Sequence, residues 1–535
     1  MSPFLQFRLW LRRGPTPEKV GVGIAGVVLV AVLAWVAVPT GSQGGGAVAA
    51  TGVQAAGATP GSSASGPVSE TGSAAGSTAG GASLDGAGAT AAPGSVAGAG
   101  AAPAAAAALP GTSGGTRPSG SAATSRGTAC SNLTGSDQGV TPTQIKLGVA
   151  LFDLEGGASN SFIGVPPPQE QQADFQAVID SINKAGGIQC RKIVPVWYQG
   201  NYLDSSQQHA TCLQVVQDRV FALIDAVALD STQQGRDCVA ENKIPLFDAG
   251  AILGSETRGS LYPYVFSDGD QWDWNIRNSV LGAQQLGWFK GLTKLGVLED
   301  DCYPEVNSET TADLAAAGIP PSHVVTYDFG GCSTIPPPQQ VEQAVLTFQS
   351  AGVSHVTDLS QVPKSGYFSK VAQTQNYHPK YNVSGGAPSV FDSSSGSSAG
   401  PNAQNFNGAI SITELSYGAQ NSKNVPYSPA TTACNNIMAS AGLASVQKQG
   451  AFFAGETCNL MWMFQMAAQR TAPLVRTGLV QGLDQSGLWL QSFPGGQANF
   501  NRPGVVSAGE YWRLDVYDGS CPCFRVPDPT WRPNL

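Results

Sequence analysis

The feature that most constrains the fold is an alternation of helical and strand-like runs, seen most clearly in residues 169–197, QEQQADFQAVIDSINKAGGIQCRKIVPVW. Phe175, Val178, Ile179 and Ile182 recur at helical spacing, with Gln171, Gln172, Asp174 and Asp180 on the other face, so the first half is an amphipathic helix that buries one stripe. Gly186 and Gly187 stop it, because glycine takes left-handed dihedrals without a Cβ penalty, and Ile193, Val194, Val196 and Trp197 follow as a β-rich run. A first strand precedes this unit at 145–151, and apolar runs recur at 221–227, 244–250, 293–299, 323–329 and 354–360, each beside a helical pattern. The helices fall at 205–218, at 231–242 and, after a break over 250–275 rich in Gly, Tyr and Trp, at about 274–292. Such alternation predicts an α/β fold with helices on both faces of a sheet, and the break divides it into two units, hence two lobes.

The chain ahead of this region cannot fold in the same way. Residues 1–19 form a basic tail with Arg8, Arg12, Arg13 and Lys19, and 20–38 are an uncharged apolar run. At about 1.5 Å per residue the run reaches roughly the 30 Å of a hydrocarbon core, and the charge ahead of it orients the tail to the cytoplasm and the rest outside. The same run also fits a cleaved leader, with Val36, Ala37 and Val38 before the cut. Residues 39–129 are almost wholly Gly, Ala, Ser, Thr and Pro; nothing there offsets ordering entropy, so they read as a disordered linker with an end-to-end distance of about 55 Å. The expectation is a single-pass membrane protein with its folded head extracellular.

From Cys130 onward there are 22 Lys and Arg against 34 Asp and Glu. An acidic surface repels phosphate backbones, which argues against nucleic acid as a partner and leaves small molecules. All ten cysteines lie in this part, without a CxxC pair, which points to an oxidising compartment rather than to a metal. The sequence leaves their connectivity open. Cys212 with Cys238, Cys302 with Cys332 and Cys434 with Cys458 would staple neighbouring units, leaving Cys130 with Cys190 and Cys521 with Cys523, or a rearranged set.

The segment Asn183-Lys184-Ala185-Gly186-Gly187-Ile188 between helix and strand, the Ile244-Pro245-Leu246 strand, and VLEDDCYPEVNS at 297–308 together resemble the type 1 periplasmic binding proteins of the branched-chain amino acid ABC transporter class, over roughly 139–525. The resemblance implies two Rossmann-like lobes joined by a hinge, with chain crossings near 268–274 and 400–410 and a third before a hairpin at 511–527. Lobe 1 would then comprise 130–270 with about 405–480, and lobe 2 271–404 with about 481–535. Partners would be a small ligand and ABC permease subunits, with no cofactor.

In open α/β sheets ligands lie at the carboxyl ends of strands, which nominates Asp230, Ser231, Ala249, Gly250, Ala251, Tyr303, Ser360 and Gln361, along with Asp300 at the start of its loop. The resemblance points to the same places, with Ser231 and Ala251 at a ligand carboxylate and Tyr303 covering the ligand. It also exposes a departure: Ile252 stands where amino-acid receptors present a hydroxyl, and 385–389 contain no acid for an ammonium group. Each nominee has a plainer reading. Asp230 fits a helix N-cap with Gln233 at the capping-box position, Tyr303 fits packing beside Cys302, Trp272 and Trp274 fit core and surface as well as the cleft, and Asp268 and Asp270 fit loop caps. Matches to hydrolase patterns at 111–115, 181–184 and 396–400 lack the strand-to-helix setting such sites need. The sequence therefore reads as a solute-binding protein and not an enzyme; a membrane-tethered sensor and a secreted hydrolase working through Ser398 are the alternatives.

Overall fold

The computed structural model describes Cys130 and residues 133–535, apart from 154–159, 161–164, 202–203, 226–231, 250–253, 255–258, 301–303, 332–334, 361–362, 385–389, 392–399, 415–416, 445–452, 487, 491–496, 501–506 and 508. The basic tail, the apolar run at 20–38 and the linker lie outside these residues. Among the described residues no helix is long and apolar enough to cross a membrane.

β1 (Gln144–Phe152), α1 (Pro168–Lys184), β2 (Lys192–Gly200), α2 (Ser205–Asp218), β3 (Ala222–Asp225), α3 (Gln233–Glu241), β4 (Leu246–Asp248) and β5 (Val265–Ser267) build the first sheet. Its strands are parallel in the order β2-β1-β3-β4-β5. Pro168 opens α1 at a position whose amide has no helical partner to lose. The helix buries Phe175, Val178, Ile179 and Ile182, the stripe its spacing predicts. Gly186 and Gly187 turn the chain with φ of 109° and 71°. Asn183 then fixes the corner, donating to the Ile193 carbonyl at 2.9 Å and accepting from the Ile193 amide at 2.8 Å. The helix-end asparagine is thus a structural clamp. The cap of α3 is Thr232 where the sequence suggests Asp230, because the helix begins at Gln233; Thr232 accepts from the Gly235 amide at 3.3 Å.

α4 (Trp272–Gln285) leads to the second sheet, built from β6 (Leu295–Glu299), α5 (Pro304–Ala316), β7 (Val324–Asp328), α6 (Pro338–Ala351), β8 (His355–Asp358), α7 (Ser365–Thr374), β9 (Lys380–Val383) and β10 (Ile410–Thr413). α4 is shorter than the apolar pattern suggests: Gly287 takes φ 69°, and the Trp288 amide closes the end on the Ala283 carbonyl at 2.9 Å. The chain then forms α8 (Pro429–Ser440), α9 (Phe453–Arg470), α10 (Leu479–Asp484) and a hairpin of β11 (Leu488–Leu490) and β12 (Gln497–Asn499). It returns as β13 (Tyr511–Asp518), β14 (Cys523–Arg525) and β15 (Arg532–Pro533). The second sheet runs β14-β13-β10-β9-β8-β6-β7, with β15 on β13; β6 to β10 are parallel and β13 is antiparallel to β10.

Both sheets bury their faces. On the first, Phe247 packs 5.1 Å from Phe266 and 5.4 Å from Phe464 of α9 between ring centroids. On the second, Phe368, Tyr381, Phe406, Tyr517 and Phe524 form a continuous aromatic core. Because β10 is paired within the second sheet, the return to the first lies beyond Thr413 and not at 400–410, while Leu483 and Phe500 still pack with the first sheet's core, so the third crossing comes after them. That third crossing runs beside the first. Ser267 and Ser507 form a parallel bridge, and the Gly509 amide donates to Gly269 at 3.2 Å. Among the described residues four disulfides are present, Cys130–Cys190, Cys212–Cys238, Cys434–Cys458 and Cys521–Cys523; Cys302 and Cys332 lie outside them.

Two outcomes follow from this packing. Gly482 of α10 sits so close to α9 that a Cβ would overlap the Ala467 carbonyl oxygen. Gly482→Ala is expected to lower stability by about 1–3 kcal/mol in urea unfolding, as overpacking does. His355 packs edge-on to Trp288 at 4.8 Å, and burial, with Lys380 nearby, pushes its pKa down from 6.5 to about 4. The unfolded chain therefore binds the proton more readily, and the stability this histidine confers is full above pH 6.5 and lost as pH falls toward about 4. His355→Phe should remove that part of the acid limb from the unfolding profile.

Candidate functional site

In a parallel sheet every strand ends at the same edge, and this chain ends many of its strands in acid. Asp225 and Asp248 close β3 and β4 in register, Ser267 follows Asp248 across on β5, and Asp268 comes next in the chain. All four are fully buried. In the second lobe Asp300 follows β6, Asp358 ends β8 and Glu414 follows β10, again all buried. Desolvated carboxylates at such places must share a proton, meet a cation or collect donors.

The second lobe uses the latter two solutions. Lys364, fully buried just ahead of α7, places Nζ 3.7 Å from Asp300 Oδ2. Asp358 accepts the amides of Ser360 at 3.2 Å and Ser365 at 2.6 Å, together with the Ser360 hydroxyl. Burial raises the Asp358 carboxyl, while those donors and Lys364 pull it back. Burial likewise lowers Lys364, with Asp300 and Asp358 opposing. The ion pair thereby ties the end of β6 to the segment just ahead of α7.

The sequence nominees divide as follows. Ser360 directs its hydroxyl at Asp358 and holds the turn at the end of β8. Ala249 is buried in the apolar core, its amide donating to the Asp225 backbone carbonyl at 3.3 Å. Trp272 is 5% exposed within an apolar cluster that runs from Leu223, Leu246 and Val265 of the first lobe to Leu295, Val297 and Leu359 of the second. It packs at the junction of the lobes. Asp230, Ser231, Gly250, Ala251, Tyr303 and Gln361 lie outside the described residues, as do Ile252, 385–389 and Ser398.

Asp268 and Asp270 are more than loop caps. Asp270 accepts from Asn534 at 2.8 Å, and burial first, then Asp268 nearby, raises the carboxyl of Glu456 in the first turn of α9. Glu414 accepts from Asn275 of α4 at 2.6 Å. The sequence reading missed Asp225, Asp248, Lys364, Glu414 and Glu456, although the repeated ending of apolar runs in acid, as in ALID, LFD, HVTD and ISITE, was a usable signal. Among the described residues no group of acids, histidines or cysteines is arranged to hold a metal.

Two α/β sheets joined by crossings, with acid-tipped parallel strands, define a bilobal binding fold. The profile of the family described as periplasmic binding protein matches residues 162–506, and the chain belongs to that family. Among solved structures it is similar to a solute-binding protein of an ABC transporter from R. palustris in complex with 4-hydroxybenzoate, at 13% identity and TM-score 0.54, covering 73% of this chain and 97% of the other. A fatty acid ABC transporter substrate-binding protein from Thermomonospora curvata aligns at 15% identity and TM-score 0.52, over 74% of this chain and 94% of that one. A periplasmic binding protein type 1 from Bordetella pertussis aligns at 12% identity and TM-score 0.52, over 73% and 99%. These likenesses show the type 1 fold. Among curated proteins, none matches.

Lys364→Met removes the cation from between Asp300 and Asp358. It is expected to cost about 3–5 kcal/mol in denaturant unfolding, since it leaves buried charge uncompensated.

Proposed function

We propose that this chain is an extracytoplasmic solute receptor that captures a small polar or amphipathic molecule between its two lobes and delivers it to ABC-type permease subunits. The observation that carries this reading is the family match over 162–506, in a fold whose two sheets end their parallel strands in polar tips. Receptors of this class bind by hinge closure, so the chain needs no catalytic group: a ligand with higher affinity for the closed form shifts the population toward it. Ligand contacts are assigned to Asp230, Ser231, Gly250, Ala251, Tyr303 and Gln361, with Ala249, Ser360 and Trp272 packed behind them. Residues 20–38 anchor the chain in the membrane and 39–129 tether an extracellular head.

One similar structure is described in complex with 4-hydroxybenzoate and another as the substrate-binding protein of a fatty acid ABC transporter. For this chain Ile252 and the acid-free stretch 385–389 disfavour a free amino acid, whose ammonium and carboxylate would lose charge-assisted contacts of about 1.5–3 kcal/mol each.

A thermal-shift screen of the full chain against aromatic acids, fatty acids, amides, sugars and amino acids tests the reading. At least one compound is expected to raise the melting temperature, because ligand at about 100 times its Kd adds roughly 2.7 kcal/mol to the native state. Tyr303→Ala should then weaken that compound about tenfold or more. Stabilisation by DNA alone, by divalent metal alone, or by nothing in the panel would overturn it.

A further inference from the structure

Residues 531–535 lie where the first and third crossings meet the second lobe. Arg532 and Pro533 form β15, which pairs with Trp512 and Tyr511 at the start of β13. Cation–π contacts reinforce the pairing: the Arg513 guanidinium lies 4.3 Å from the Trp531 ring centre, and that of Arg532 lies 5.0 Å from the ring centre of Trp512. Trp512 is fully buried, so this part of the segment is fastened to the second sheet.

Asn534 carries the segment onto the crossings. Its backbone amide donates to the Glu510 carbonyl at 2.9 Å. Its side-chain nitrogen donates to Asp270 Oδ1 of the first crossing at 2.8 Å and to the Gly509 carbonyl of the third at 3.4 Å, while its side-chain oxygen accepts from Asn278 of α4 at 2.9 Å. One side chain thus joins three segments. The next residue repeats the attachment: the Leu535 amide donates to Asn278 Oδ1 at 3.0 Å, and Arg277 Nε donates to the Leu535 backbone oxygen at 2.6 Å. Arg277 also pairs with Asp313 of α5 at 2.9 Å, which extends the hold into the second lobe.

The first lobe holds the same two crossings from the other side. Ser267 ends β5 in the first sheet, and its parallel bridge sets Ser507 beside it. Between the two attachments lie Asp268 and Gly269 on the first crossing, and 508 and Gly509 on the third; the Gly509 amide donates to the Gly269 carbonyl at 3.2 Å. We propose that residues 531–535 are a strap that clamps Asp270 and Glu510 to the second lobe and so confines bending between the lobes to those two short stretches. The strap is built to release. Trp531, Arg532, Asn534 and Leu535 are half-buried, Pro533 is exposed, and β15 is two residues long. Segments held by part-exposed hydrogen bonds open at a fraction of the cost of global unfolding, so this one lifts while both sheets stay folded. Once it lifts, bending spreads into Asp270 and Glu510 and the lobes sample a wider range of separations. That the strap thereby governs closure on a ligand rests on the receptor reading; the strap itself does not.

The test uses the ligand-free full chain as wild type, Asn534→Ala and Asn534→Asp. Alanine loses the side-chain bonds, and aspartate keeps their shape but has no donor for Asp270 or Gly509. Hydrogen exchange, corrected for intrinsic rates, should show protection at Gly509 falling about tenfold in both variants, the scale of one net hydrogen bond. Protection at Ile224 of β3 and Leu298 of β6 should stay as in wild type. Paired spin probes on exposed faces of the two lobes should report a broader distance distribution in the variants. In wild type, the amides of Gly509, Asn534 and Leu535 should open together and before those of the two sheets, a readout that stands even where a variant does not fold. Gly509 protection indifferent to both substitutions, a loss spread evenly over both sheets, or an unchanged distance distribution would overturn the strap. So would wild-type amides at 509 and 534 that open independently. No ligand enters these measurements, so a blank ligand screen would count against the receptor reading alone.

Discussion

A carboxylate taken out of water at the end of a buried strand has to collect amide donors, meet a cation or share a proton, and each solution ties one segment of this chain to another. Asp358 gathers Ser360 and Ser365 and so shapes the turn from β8 into α7. Asp300 meets Lys364, linking the end of β6 to that same turn. Burial, and then Asp268 nearby, raises the carboxyl of Glu456 in the first turn of α9. The parallel order of the strands makes this unavoidable, since both faces of each sheet are covered by helices and the edge where the strands end is the place left for polar groups.

The same edge faces are where receptors of this family take hold of a ligand, and the structure divides their labour. Residues such as Ala249, Ser360 and Trp272 are committed to packing and to turns. The apolar cluster around Trp272 reaches into both lobes, so the lobes do not merely touch through three strands of backbone. They share a small core beside the crossings.

Much of the fold was legible because its signals are local. The stripe Phe175, Val178, Ile179 and Ile182 announces α1, the glycine pair announces its end, and runs such as HVVTYDF announce strands. The cap of α3 was misplaced because Asp230 and Thr232 are both good caps and only the start of the helix decides between them. The second crossing was misplaced because β10 is short, and four residues of ISIT carry little pattern without their partners on β9 and β13. The carboxylate cluster was invisible for a different reason. Asp268, Glu414 and Glu456 lie far apart in the chain, and each is an ordinary acid in its own neighbourhood.

The central claim is that two lobes move about the crossings to enclose a small molecule. It is tested most directly by the distance between probes on exposed Gln207 of α2 and exposed Gln339 of α6, introduced without disturbing the cysteines and read by pulsed electron paramagnetic resonance. The account predicts that a compound raising the melting temperature also shifts this distance to a new, narrower distribution. A compound that binds and stabilises while leaving the distribution unchanged would contradict it.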